Sequence, residues 1–369
     1  MHDRLGLSRA RTAILIILSL LVGGIAGLIS VLACRFAIRF GGVDSAEKHG
    51  ISTSSAIRVG GVLVCMYLVL NIAYQYFILD SRQVSPLVLE VLGSGVVFFC
   101  LGFYEDITGS FSTVNRFILM LLISLVIVYF GAQFRILPIG VGIVDDWLLQ
   151  NRNLGYLISG VSLAFIANAF NTADGANGLA SGITLFCALG LVLVAPADLQ
   201  LLMRSVAVSC VLFLLYNLIS GRFFLGDGGA YMLGIMIGLA TIVSSNVAGV
   251  SVWFLLSLIF YPVADLVWSM LRRIMSGRSP LSADDGHLHN HLFHLFLASG
   301  FGARKANTIT GVSVALGFSG LPLAVYTVDH KFLLELNWAS VYGIMWSCYA
   351  LVWGLSSVWR ARNKPATSG

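Results

Sequence analysis

The chain has 369 residues, 58% of them hydrophobic and only 11% charged, with a mean hydropathy of +0.90 and a formal net charge of +5. That composition excludes a soluble globular domain and places the protein among all-α polytopic integral membrane proteins. The positive excess includes no basic tract with interleaved aromatics, so nucleic acid is excluded and anionic lipid heads are the expected contact.

A helix crossing ~30 Å of hydrocarbon needs about 20 mainly apolar residues. By that rule about eleven spans are expected, at roughly 12–34, 56–72, 86–103, 115–131, 155–170, 180–196, 202–219, 229–246, 251–271, 308–328 and 338–359. The first is too long for a signal-peptide core and lacks a small-x-small cleavage site, so it is read as retained. Gly and other small residues inside the spans fit close helix packing in lipid. Cys34, Cys65, Cys100, Cys187, Cys210 and Cys348 lie in or beside apolar segments without metal spacing, as packing residues do.

Alternate loops share a face: 35–55, 104–114, 171–179, 220–228 and 272–307, with the tail from Arg360. This face holds fourteen Lys and Arg against eight on the other, so it is expected to be cytoplasmic. Arg4, Arg9 and Arg11 before the first span point the other way; the whole-chain count outweighs them. The chain reads as a single membrane domain, 1–369, whose longest inward segment, 272–307, is a loop with one short helix.

The polar motifs fall on that face. Glu105-Asp106 closes the third span, and two adjacent acids at a membrane boundary repel unless a cation or a positive group lies between them. Arg116 opens the fourth span, placed either to neutralise phosphate or to snorkel. In NAFNTADGANGLASG, Asn168, Asn171 and Asp174 are spaced by three and project from roughly one helical face. Amides there donate to phosphate or sugar hydroxyls while the carboxylate accepts or ligates; a polar helix end with an Asx-Gly turn is the plainer reading. Asn217 precedes GRFFLGDGG, in which Asp227 sits among glycines before an apolar helix. That position suits a carboxylate binding Mg²⁺ beside phosphate, or a simple N-cap with turn glycines.

Asp265 lies inside a span near Pro262, as either a functional carboxylate or a packed one with a buried donor. In SADDGHLHNHLFH, His287, His289 and His291 alternate behind Asp284-Asp285; zinc binding and a grip on phosphate oxygens are both open. No GxxxxGK[ST], GxSxG or dinucleotide fingerprint is present.

In order, these segments resemble the polyprenyl-phosphate N-acetylhexosamine-1-phosphate transferase family of glycosyltransferase 4 type. The resemblance spans roughly residues 35–295: Lys48-His49 followed by Gly60-Gly61, the acidic pair, NxxNxxDGxxGLASG, Asn217 ten residues before GDxG, and a late HxH cluster. The HLHNHL form is closer to the branch that starts O-antigen and teichoic-acid polymers than to the cell-wall translocase branch.

The resemblance implies a Mg²⁺-dependent phosphotransferase of the bacterial inner membrane, with Mn²⁺ as a substitute. It would move N-acetylhexosamine-1-phosphate from a UDP-sugar to undecaprenyl phosphate and release UMP, starting a cell-surface polysaccharide. Asp227 is then the main metal ligand with Asp174 beside it, and Glu105-Asp106 are placed to take a proton from the lipid phosphate. Asn168, Asn171 and Asn217 belong to the nucleotide site, Lys48 and Arg116 engage phosphate, and His287, His289 and His291 bind the pyrophosphate. Homodimerisation, and direct attack against an aspartyl intermediate, are left open. Two departures stand out: Glu105 where the family has Asp, and Asn290 where it has a second histidine, with His291 one place later. The rival reading is a secondary transporter for a nucleotide sugar or organic anion, whose ionisable groups would lie nearer the midplane within paired repeats.

Overall fold

The computed structural model describes residues 58, 60–79, 84–220, 223–247, 249–282, 284–332 and 335–363. The elements run α1 (Gly60–Tyr74, continued by a π-turn to Leu79), α2 (Pro86–Thr108), α3 (Thr113–Phe130), α4 (Gly142–Gln150), α5 (Arg152–Ala173), α6 (Leu179–Val194) and α7 (Ala197–Ser220). They continue as α8 (Gly226–Ser245), α9 (Val252–Leu258), α10 (Phe260–Met275), α11 (Leu288–Ala298), α12 (Ala303–Ala315), α13 (Leu321–Phe332) and α14 (Trp338–Arg362). The protein is an all-α multi-pass membrane protein.

Eight helical stretches among the described residues are long and apolar enough to cross alone, α12 and α13 forming one through a π-turn. The bent pair α9–α10 makes a ninth, and α6, of 16 residues, is apolar but shorter. The expected span at 12–34 lies outside the described residues. So does the expected phosphate-binding Lys48.

α8 is the axis of the bundle, with every residue from Gly226 to Ser244 buried. Its glycines make this possible, because in lipid helices associate by close packing and small residues let backbones meet. A Cβ on Gly234 would lie 2.9 Å from Ala167 Cα of α5, and one on Gly61 of α1 would lie 2.4 Å from Gly229 N. α2 approaches as closely as α1: a Cβ on Gly102 would be 2.4 Å from the Asp227 carbonyl carbon. α3, by contrast, turns Leu122, Val126, Tyr129 and Phe130 outward, as a lipid-facing helix does.

The span expected at 251–271 is two helices bent by 77° at Ile259. The carbonyl freed at Leu258 accepts from Cys187 Sγ at 3.2 Å and from Ser319 Oγ, on the π-turn, at 2.7 Å. Such a break is tolerated in a membrane because the neighbours satisfy the backbone. Cys65, Cys100, Cys187, Cys210 and Cys348 are all unpaired thiols.

Helix ends meet at one end of the bundle. Gly60 N–H and Gly61 N–H donate to the carbonyls of Phe224 and Leu225, so α1 starts against the turn that leads into α8. The α2, α5 and α7 ends converge on the same turn, and the 284–291 segment reaches the α5 end where His289 lies against Gly175.

Candidate active site

The site is built on the N-terminus of α8. Gly226 has a φ of 72°, a left-handed backbone that glycine adopts without cost, and a Cβ there would meet Asp106 Oδ2 and the Arg58 carbonyl at 2.7 Å. The first N–H groups of a helix have no partner within it. Here carboxylates from two other helix ends supply them. Asp106 accepts Asp227 N–H on Oδ1 and Gly228 N–H on Oδ2, both at 3.0 Å, and Asp174 Oδ2 accepts Gly226 N–H at 2.9 Å. Negative charge at that end also complements the helix dipole.

Asp227 is held in turn. Its Oδ2 accepts Arg116 Nη1 at 2.8 Å and the Tyr231 hydroxyl at 3.3 Å, and that hydroxyl accepts Asn171 Nδ2 at 3.3 Å. Arg116 therefore points inward rather than snorkelling. Glu105 does a different job: Oε2 accepts Phe111 N–H at 3.0 Å, ordering the α2–α3 turn, while Oε1 lies 3.8 Å from Arg116. Arg58 approaches Asp106 at 3.9 Å.

Asp106, Asp174 and Asp227, with Glu105 at the edge, thus meet Arg58 and Arg116, four carboxylates against two guanidinium groups. Burial pushes the Asp174 carboxyl well above the usual carboxylate range, and the charges of Asp106 and Asp227 push the same way against Gly226 N–H and Arg58. Such a cluster favours a cation. The donor set fits Mg²⁺: Asp174 Oδ1 and Asp227 Oδ1 accept no hydrogen bond among the described residues, and both are hard oxygens. Among those residues no group of three or more His, Cys, Asp or Glu side chains closes into a cage. Mg²⁺ is commonly bound by one or two carboxylates completed by substrate phosphates.

The histidine segment is not a solvated loop. Along α10, Tyr261, Asp265, Ser269 and Arg272 form a polar stripe at helical spacing, and 284–291 lies along it. Arg272 bonds Asp284 and the Gly286 carbonyl, and Ser269 Oγ donates to Asp284 Oδ2 at 3.0 Å. Asp265 accepts His287 Nδ1 at 2.6 Å, Leu288 N–H at 3.0 Å and the Tyr349 hydroxyl at 2.7 Å. The Tyr261 hydroxyl accepts His289 N–H at 3.3 Å and meets His289 Nδ1 at 2.8 Å. The Tyr261 hydroxyl thus anchors both the backbone and Nδ1 of His289 and leaves Nε2 as the outward ring nitrogen. That Nε2 faces Gly175, where a Cβ would be 2.7 Å away. Burial pushes His289 down to about 4, so the ring is neutral near pH 7.

Two further candidates, Asn168 and Asn217, make no side-chain hydrogen bond to the carboxylate cluster among the described residues. Asn168 is half-buried on α5, three residues before Asn171. Asn217 Nδ2 donates to the Phe223 carbonyl and tethers the turn into α8, while its buried Oδ1 has no hydrogen-bond partner among the described residues. His291 stands apart from the other histidines, with its ring against Trp353 of α14 at 5.6 Å. Asn290 Nδ2 donates to the Asp285 carbonyl at 3.0 Å. Sequence reasoning missed Tyr231, Tyr261 and Tyr349. Tyr231 was findable: it lies one turn after Asp227, on the same face of an otherwise apolar helix.

Residues 88–245 match glycosyl transferase family 4. A decaprenyl-phosphate N-acetylglucosaminephosphotransferase of Mycolicibacterium smegmatis is 27% identical over 313 residues, covering 74% of this chain and 75% of the relative. An undecaprenyl-phosphate alpha-N-acetylglucosaminyl 1-phosphate transferase of Yersinia pestis is 26% identical over 295 residues, 77% of each chain. A probable undecaprenyl-phosphate N-acetylglucosaminyl 1-phosphate transferase of Bacillus subtilis is 23% identical over 288 residues, 76% of each.

Proposed function

We propose, from the premise that this chain belongs to glycosyl transferase family 4, that it transfers N-acetylhexosamine-1-phosphate from a UDP-sugar to undecaprenyl phosphate. The observation that carries this reading is the meeting of Asp106, Asp174, Asp227 and Arg116 on one helix N-terminus at the end of a membrane bundle. A lipid-borne phosphate and a soluble nucleotide can both reach such a place. The Lys and Arg bias supports a cytoplasmic orientation for this end, in a bacterial inner membrane.

In the reaction an oxygen of the acceptor phosphate attacks the β-phosphorus of the UDP-sugar. The bond from that phosphorus to the bridging oxygen breaks, and UMP leaves with the electron pair. Such transfers ask the protein mainly for positioning and charge stabilisation. Mg²⁺ or Mn²⁺ held by Asp174 and Asp227 would, when bound, draw charge from the phosphate oxygens. Asp106 has both oxygens engaged by α8 and acts as a positioning residue. Arg116 holds Asp227 and lies beside incoming phosphate, with Lys48 as a further phosphate contact. Asn168, Asn171 and Asn217 border the nucleotide. His289 turns Nε2 toward Gly175, and His287, with Nδ1 held by Asp265, offers Nε2 to the pyrophosphate.

The test uses the full chain in membranes with radiolabelled UDP-N-acetylhexosamines and undecaprenyl phosphate, scoring lipid-extractable label and UMP. Wild type should transfer label, stop with EDTA and recover with Mg²⁺. Asp227→Asn should express and fold yet lose at least about a thousandfold in rate, the scale of losing one electrostatic stabiliser in a water-poor site. Activity retained by Asp227→Asn would remove it from the site.

A further inference from the structure

On the side of α11 away from His289 lies a recess of about 290 Å³, bounded by Arg272, Asp285, His291, Trp353, Ser357 and Arg360. Residues two apart on a helix point about 200° apart, so His291 faces this recess and not the α8 cluster. His291 is 7% exposed; its ring lies near the Gly286 carbonyl, yet neither ring nitrogen makes a hydrogen bond of ordinary geometry among the described residues. The Gly286 carbonyl beside it is already taken by Arg272 Nη1 and by Trp353 Nε1 at 3.0 Å. A buried polar ring without partners is costly unless something else completes it.

The charge around it is positive. Among the described residues the ion pairs of Arg272, Arg273 and Arg360 are with Asp284 and Asp285, and the Asp285 side chain, which pairs with Arg360 at 2.8 Å, is itself 78% exposed. The Arg272 guanidinium lies over the Trp353 ring at 5.2 Å and bonds Asp284 and the Gly286 carbonyl, which hold its fork in place. Burial, with Arg360 and Arg272 nearby, pushes His291 down to about 4, so near pH 7 the ring brings one N–H donor and no added charge. Two guanidinium groups, that of Arg272 held in place, and one buried donor match an oxyanion of phosphate type. The last turns of α10 and α14 form the recess, and Leu271, Ile274 and Met275 are exposed on that same end of α10. A basic hollow between helices at a membrane boundary, with apolar residues alongside, has the character of a lipid-headgroup site.

We propose that this recess binds a phosphate group outside the catalytic cluster, carried by an acidic phospholipid or by a free phosphate compound. The test titrates the purified full chain with dioctanoyl phosphatidylglycerol, with dioctanoyl phosphatidylcholine as the neutral control, and separately with inorganic phosphate. Each is read by calorimetry and native mass spectrometry in wild type, His291→Leu and Arg360→Gln. Arg360 sits at the rim, paired with an exposed carboxylate, so Arg360→Gln keeps the test valid if His291→Leu folds poorly. Affinity should fall about tenfold or more in the variants. A loss confined to phosphatidylglycerol identifies the lipid headgroup; a loss seen with inorganic phosphate identifies a free phosphate ligand. Equal affinity of wild type and Arg360→Gln for both anions would overturn the proposal.

Discussion

Tyr231 shows how one residue can organise a site without reacting. Its hydroxyl joins Asn171 to Asp227, and with Arg116 it fixes Oδ2 so that Oδ1 is left outward. Tyr231→Phe should lower kcat by about tenfold with little change in KM, since a misaligned carboxylate weakens stabilisation without removing a binding contact. A changed KM at constant kcat would instead place the hydroxyl in substrate binding. Glu105 carries the opposite lesson. Its longer arm reaches Phe111 N–H and leaves the α8 capping to Asp106. Glu105→Asp should therefore keep substantial activity, measured as lipid-linked product; near-total loss would show that the longer arm is needed for the chemistry.

At the scale of elements, the α2–α8 contact decides whether the cluster exists. Gly102 lets α2 lie against the backbone of Asp227 and Gly228, which brings Asp106 within reach of their N–H groups. Gly102→Ala puts a methyl group against main chain that cannot move aside. Overpacking of this kind costs about 1–3 kcal/mol. The expected result is a lower thermal midpoint together with lost transfer, and an unchanged midpoint would mean the helices pack less closely. The α10 stripe is the second decisive contact. Its i, i+4 pattern of Tyr261, Asp265 and Ser269 was visible in the sequence, but only the fold shows that it grips the histidine segment and answers the question left by Asp265.

For the whole molecule, buried imidazoles set the acid limit of stability. His289 is held near 4 against about 6.5 in an unfolded chain, so below about 6.5 the unfolded state takes up a proton that the fold refuses. Its stabilisation is full above that value and is lost as pH falls toward 4, by up to roughly 3 kcal/mol. His291 loses stability through the same window. Asp284 acts below it: burial opposes, but Arg272 and Gly286 N–H keep its carboxyl below the usual range, so protonating it costs stability further down. Thermal midpoints in detergent should drop between pH 6.5 and 4, and His289→Gln should flatten that drop; an identical slope in the variant would remove His289 from the account.

The sequence by itself determined that the protein lives in a bilayer, that it is helical, and that its acids and amides collect at one set of helix ends. Those follow from the cost of unpaired polar groups in hydrocarbon, which any 20-residue window reports. Local order could not reveal which oxygen each carboxylate would offer, that Asp106 caps a helix more than a hundred residues away, or that His291 turns from its neighbours. These are matters of packing: where α8 is threaded, how closely glycine lets α2 approach, and which face of α11 meets α14.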